Sequence, residues 1–405
     1  AVLLYIKVME KIMDKKKLSF VAIIGFCGAC IAFYIVAGFA TMQEVMQYEA
    51  SYGTKLWIVI AVISVIYIYT NLSFSTNGNR LKLLRGGDIY NHYCGKYIGT
   101  FYDYFSAFFC YMCFIVMCGG ANSTATQQWG LPNGVGAVIL TVCVIATALF
   151  GLDGILNALG KIGPLIIVII LLVSVISAIN GATYLSKNLE YVNSGAAENG
   201  KLLIKNFVDA FGQTRDIAIT QVGNGNPFLS GFSYGGFVIL WFAAFLAEVG
   251  AKNKLKEVNF GMLLSTVFIM GTAVLASYAL ICYIGETGEA DIPALVLAKS
   301  ISPILAQALA VIIFCGIYTT SVPLLWTGVG KISKEGTKKY KVLTVVGGVI
   351  GCVAACFLPY KGLVNVLYGM NGYLGFILVA FMIVYDLRTR MSKTKVTRAK
   401  LEESA

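Results

Sequence analysis

Ten apolar stretches, each about as long as a bilayer's hydrocarbon core is thick, follow one another down this chain. They run Leu18–Tyr48, Leu56–Asn77, Ile98–Gly119, Asn133–Phe150, Ile155–Ile179, Phe228–Gly250, Phe260–Ile284, Ile304–Val329, Val342–Leu358 and Leu363–Leu387. In lipid every backbone polar group must be satisfied internally, so such segments read as membrane-spanning helices. The expected fold is an all-α membrane protein of ten transmembrane helices. With 58% hydrophobic and 13% charged residues, the composition excludes an ordinary soluble domain.

The net charge of +11 is a topology signal and not a nucleic-acid footprint. Of the 31 lysines and arginines, all but Lys55, Lys187, Lys201, Lys205, Arg215, Lys299 and Lys361 fall on one side of the ten-span arrangement. The positive-inside rule then places both termini of a multi-pass membrane protein in the cytoplasm. The expected organisation is a cytoplasmic segment 1–17, five helices over 18–179, an extracellular loop 180–227, five more over 228–387, and a cytoplasmic tail 388–405. Five is odd, so the two halves insert in opposite senses, as in a 5+5 inverted repeat. Within the loop, Lys201–Gln213 has helical apolar periodicity and is expected to be a surface helix.

The first span is longer than a bilayer requires, and its middle is weak. At Ala37, Gly38, Phe39, Ala40 and Thr41 the glycine lowers the cost of leaving helical geometry. A broken membrane helix is tolerated only where it lines a cavity, so these five residues are candidate substrate contacts. Gln43 and Glu44 follow as gate residues, with Glu44 expected to face water in a vestibule. Span six, with the run Trp241, Phe242, Ala243 and Ala244, is expected to break at the corresponding place. In span three the aromatic stripe includes Phe108 and Tyr111, expected to wall the pocket.

Other chemistries find less support. The pairs Cys27/Cys30 and Cys110/Cys113 have a zinc-like spacing but lie inside apolar segments, so no transition-metal site is expected. The one histidine, His92, falls in a polar turn and reads as solvated. The acids at membrane depth, Glu44, Asp103 and Glu248, are scattered without a histidine partner, which argues against an intramembrane enzyme. A channel or sensor would not require broken helices.

The motif AGFATMQE over Ala37–Glu44, with EADIPALVLAKSISPIL before span eight, resembles the YkvI-like bacterial membrane proteins. Those are distant relatives of the neurotransmitter:sodium symporters, which have the LeuT fold. The resemblance implies a midplane site among spans one, three, six and eight. A substrate carboxylate would meet backbone N–H groups of residues 39–42. One sodium ion would take carbonyls near Ala32 and Ile35 and hydroxyls from Thr319, Thr320 and Ser321. Phe39 and Ala40 stand where the symporters carry an asparagine for a second sodium, so that second site is not expected. Met42 replaces a glycine of the usual motif. Gly154 and Pro164 are similar to the element that lets the fifth helix unwind during gating. Some relatives use a fifth-helix lysine in place of sodium, which leaves Lys161 as an alternative cation or proton site.

The function expected is secondary active symport of a small solute, an amino acid or related zwitterion, by alternating access. The partners implied are that solute and the lipid bilayer. No nucleic acid and no cofactor beyond a coupling sodium ion are implied, and the protein is expected to be a monomer or weak oligomer.

Overall fold

The computed structural model describes residues 18–34, 37–83, 85–150, 153–209 and 212–402. The first span is α1 (Phe20–Tyr34), α2 (Ala37–Ala40) and α3 (Gln43–Tyr48), followed by a 3-10 turn Ala50–Lys55. Then come α4 (Leu56–Leu81), α5 (Asp88–Trp129), α6 (Val135–Phe150), α7 (Asp153–Asn180) and α8 (Ala182–Ser194). After three short strands the helices resume with α9 (Pro227–Lys252), α10 (Leu255–Cys282), α11 (Ile284–Thr287), α12 (Pro293–Ile301) and α13 (Pro303–Gly330). The chain ends with α14 (Lys338–Phe357), α15 (Tyr360–Leu363), a π-helical turn Val364–Tyr368 and α16 (Gly369–Glu402).

Among the described residues seven helices are long and apolar enough to cross a membrane, and the bent pair Leu165–Asn180 and Ala182–Ser194, turned by 93°, makes an eighth candidate. Phe20–Ile31 and Val135–Leu149 are apolar but shorter. The fold is thus multi-pass and helical, while length alone does not reach ten spans.

Helix starts follow local chemistry. The Asn226 side chain accepts from the N–H groups of Phe228 and Leu229, with Pro227 at the first helical position of α9. Ser302 caps α13 and Thr337 caps α14 in the same way. Within α5, Gly95 at φ 74° separates a short leading segment from the span proper. His92 sits in that segment and is not solvated as expected: its ring packs 4.6 Å from Tyr385, centroid to centroid.

The most extensive helix pairing is α9 with α4, and α16 covers another side of α9. The approach to α16 is close because the contact is glycine on glycine. A Cβ on Gly236 would collide with the Gly372 carbonyl oxygen, and one on Gly375 would collide with that of Gly236. In lipid, where tails are as apolar as leucine, such backbone contact is a main source of helix association. All eleven cysteines are free, and Cys27, Cys30, Cys110 and Cys113 are buried as small core residues.

The long loop corrects one expectation. Lys201–Gln213 is not a helix; β2 (Lys201–Val208) pairs antiparallel with β1 (Ala196–Glu198) and β3 (Thr214–Thr220). Leu202, Ile204 and Phe207 are buried, and an irregularity between Ile204 and Phe207 shifts the register. That bulge places the third apolar residue on the inner face and makes a strand resemble a helix in its spacing. The sheet and the turn after it cover α3: Val222 N–H donates to the Gln47 carbonyl at 3.1 Å, and the Gln221 amide donates to Ser51 at 2.9 Å.

Candidate functional site in the broken first span

The break is held by bonds of its own. Thr41 Oγ1 donates to the Gly38 carbonyl at 2.9 Å, lies 3.0 Å from the Tyr360 hydroxyl, and accepts from Gln43 N–H at 3.3 Å. The Thr41 carbonyl accepts from Ala294 N–H at the start of α12, at 3.0 Å. Met42 adopts the left-handed conformation, φ 59°, which a residue with a side chain takes only under constraint. Its N–H donates to the Phe39 carbonyl at 2.9 Å. The backbone donors of Met42 and Gln43 are therefore already paired, and the cradle expected for a substrate carboxylate is occupied at this end.

Gly38 has a specific steric reason to be glycine. A Cβ there would collide with Glu44 Oε1 and lie 2.5 Å from its Cδ. The carboxylate folds back against the break and does not face a watery vestibule: Glu44 is 1% exposed. The short helix α3 carries it inward, toward α9. Glu44 Oε2 accepts from the Tyr234 hydroxyl at 3.2 Å, while Oε1 has no partner. Glu49, fully buried, leaves both carboxylate oxygens unpartnered. Among the described residues no lysine or arginine forms an ion pair with either.

Aromatic rings pack around Tyr234, the partner of Glu44. Tyr234 stands edge-on to Tyr48 at 5.0 Å and to Phe237 at 4.9 Å, and Phe237 stacks on Tyr368 at 4.8 Å. Tyr34 lies 4.6 Å from Tyr67 and 4.4 Å from Phe242. Tyr34 in turn donates to Asn71 at 2.8 Å, whereas the hydroxyls of Tyr67 and Tyr368 are buried without partners. Tyr368 belongs to the π-helical turn, a distortion that often accompanies functional sites.

The structure gathers some of the expected residues and disperses others. Gly38, Phe39, Ala40 and Thr41 are buried at the break, and Gln43 beside them is 1% exposed. Trp241 stacks on Phe109 at 5.6 Å and edges toward Phe237, so it joins the cluster. Ala243 is buried; the Ala244 carbonyl is packed against Gly86. Span six is continuous through this run, with no non-helical residue in α9, so the expected second break is absent. Phe108 is 56% exposed, and Tyr111 donates to Gly347 at 2.9 Å, both on an outer groove of about 440 Å³ between α5, α13 and α14. Helical periodicity turns the neighbouring Phe109 inward instead.

Thr319, Thr320 and Ser321 all donate to carbonyls of their own helix, at 3.0, 2.9 and 2.6 Å. Their oxygens keep lone pairs, and α13 packs on α2. Ala32 and Ala37 are helical, and Gly154, Lys161 and Pro164 lie within α7; the side-chain surroundings of these five are outside the described residues, as is Ile35 altogether. The residues that sequence reasoning missed are Tyr34, Tyr48, Glu49, Tyr67, Tyr234 and Tyr368. Glu49, five residues after Glu44 at the edge of an apolar stretch, was the one visible sign.

The cluster is closed at both ends. Toward the sheet, Tyr52 donates to the Val222 carbonyl at 2.5 Å, and Lys361 and Ser123 both hold Asp291, at 3.6 and 3.0 Å. At the opposite end Asp103 pairs with Lys331 at 2.6 Å and Arg85 at 3.8 Å, and Glu248 accepts from Gly86 N–H at 3.2 Å.

No family model matches the chain, and no curated protein matches it in sequence. Solved structures do match in fold. The crystal structure of MhsT in complex with L-phenylalanine superposes with a TM-score of 0.60 at 15% identity, covering 89% of this chain and 88% of that one. A mutant of the Eremococcus coleocola manganese transporter gives 0.50 at 15% identity, over 90% of this chain and 78% of that one. Both are transporters rather than enzymes, and this chain has the LeuT fold that they share.

Proposed function

We propose that this protein is a secondary active transporter that carries a small solute, an amino acid or related zwitterion, by alternating access about the broken first span. It works as a symporter coupled to one sodium ion. It sits in a bacterial cytoplasmic membrane with residues 180–227 outside and both termini inside, and the AGFATMQE motif supports kinship with the YkvI-like proteins. One observation carries this reading. A helix break stabilised at Gly38–Met42 opens onto a buried polar cluster, closed at both ends, in a fold whose solved examples are transporters. The L-phenylalanine bound to MhsT supports a small organic solute. An enzyme would need a nucleophile with an adjacent base, and the site holds carboxylates facing tyrosines. Uptake of radiolabelled amino acids into proteoliposomes, with and without a sodium gradient, tests it. Sodium-stimulated accumulation is expected; uptake that ignores sodium and follows a proton gradient points to Lys161 instead.

A further inference from the structure

We propose that Glu44 and Glu49 bind an organic ammonium group, so that the preferred solute is a cationic amine and not a net-neutral zwitterion. This deepens the transporter reading and rests on it.

The first ground is an inventory of unpaired groups. Glu44 Oε1 and both oxygens of Glu49 accept nothing, and the Tyr67 and Tyr368 hydroxyls have no partner. Carboxylate oxygens only accept, and an ammonium group only donates, through three N–H bonds. A buried carboxylate without a cation is costly, and among the described residues no lysine or arginine pairs with either one. Protonation or a bound ammonium group relieves that cost.

The walls decide which cation. A bare metal ion asks for oxygens on all sides. Here Glu44 accepts from Tyr234, whose ring packs with Tyr48, Tyr67 and Phe237, and Phe237 stacks on Tyr368; such rings accept an alkyl body and attract an ammonium through their faces. A zwitterion fits less well. Its carboxylate would approach two buried carboxyl groups, and the Met42 N–H, one of the backbone donors that would receive it, is already bonded. The site also lies where the transport cycle needs it, since the Glu44 carboxylate rests against Gly38 in the break.

The test uses the purified full-length chain in detergent and matched ligand pairs that differ by one carboxylate. These are phenethylamine against L-phenylalanine, 3-methylbutylamine against L-leucine, and 1,5-diaminopentane against L-lysine. Binding is read from intrinsic fluorescence, to which Trp241 in the cluster contributes, and from the thermal melt, in sodium or potassium chloride of equal strength. Each amine is expected to bind about tenfold or more tightly than its parent acid. Glu49→Gln should lose about tenfold in amine affinity while the ligand-free protein melts no lower than wild type, because the substitution removes an unpaired buried charge. A merely structural glutamate would lower the melt. If Glu49→Gln does not purify, Glu44→Gln serves, since its amide oxygen still accepts from Tyr234. Equal or tighter binding of the parent acids, or unchanged amine affinity in the variant, overturns the inference. So does a sodium-dependent rise in melting temperature, without amine, that disappears in Glu49→Gln. Proteoliposomes that accumulate the amino acids but not the amines sink this inference alone; if they accumulate neither, the transporter reading falls with it.

Discussion

Span one and span six were expected to be counterparts, and they resolve the same problem differently. Both contain glycine near their middle: Gly38 in the first, Gly235 and Gly236 in the sixth. The first breaks at Thr41 and Met42, between α2 and α3, while α9 runs unbroken from Pro227 to Lys252. The difference lies in what each glycine faces. Gly38 faces the Glu44 carboxylate, and the backbone carbonyls beside it are taken up by the Thr41 hydroxyl, which also meets Tyr360, and by the Ala294 N–H. Gly236 faces the backbone of α16, and its lack of a side chain serves helix–helix approach. A glycine permits a break; polar groups that satisfy the freed backbone are what stabilise one.

The largest effect that would test this contrast is Gly38→Leu. A side chain there collides with Glu44, so uptake in proteoliposomes should fall by about 100-fold or more, with a normal elution profile. Transport at wild-type affinity would mean that the break is not the site. Gly236→Ala should act on stability instead, lowering it by about 1–3 kcal/mol through overpacking against α16, read as a drop in the detergent melt. If it abolished uptake with an unchanged melt, span six would have a hinge of its own and the contrast would fail. Thr41→Val, which keeps the shape and removes the hydroxyl, should cost about 1–3 kcal/mol and weaken uptake in proportion. No change in either would show that Thr41 does not hold the break. The smallest effects concern the coupling ion. Thr320→Ala should reduce sodium stimulation several-fold, by about 1 kcal/mol, while Lys161→Ala leaves uptake nearly unaltered; the reverse pattern assigns coupling to α7.

How much of the site was legible can be judged residue by residue. Gly38 and Thr41 stood out because a surplus of apolar length and a glycine are visible locally. Phe108 and Phe109 differ by phase: in an aromatic run every position looks suitable, and only packing shows that Phe109 turns inward while Phe108 faces outward. The strand β2 read as a helix because its bulge at 205–206 alters the spacing of apolar residues. Tyr67, Tyr234 and Tyr368 were illegible, since each is one tyrosine among 23 and nothing local marks its hydroxyl as unpaired or its ring as part of a pocket.

The membrane character and the helical, multi-pass organisation follow from sequence alone, because hydropathy is a property of consecutive residues. The seven exceptional basic residues include Lys187, Lys201, Lys205 and Arg215, all in or beside the sheet-forming loop. What only the tertiary structure decided is where the acids point. Glu44 looked like a vestibule residue because a carboxylate is cheapest in water, and folding instead buries it with Glu49 among rings drawn from α3, α4, α9 and the π-helical turn. Burial is a sum over neighbours distant in sequence, and no window of consecutive residues contains it.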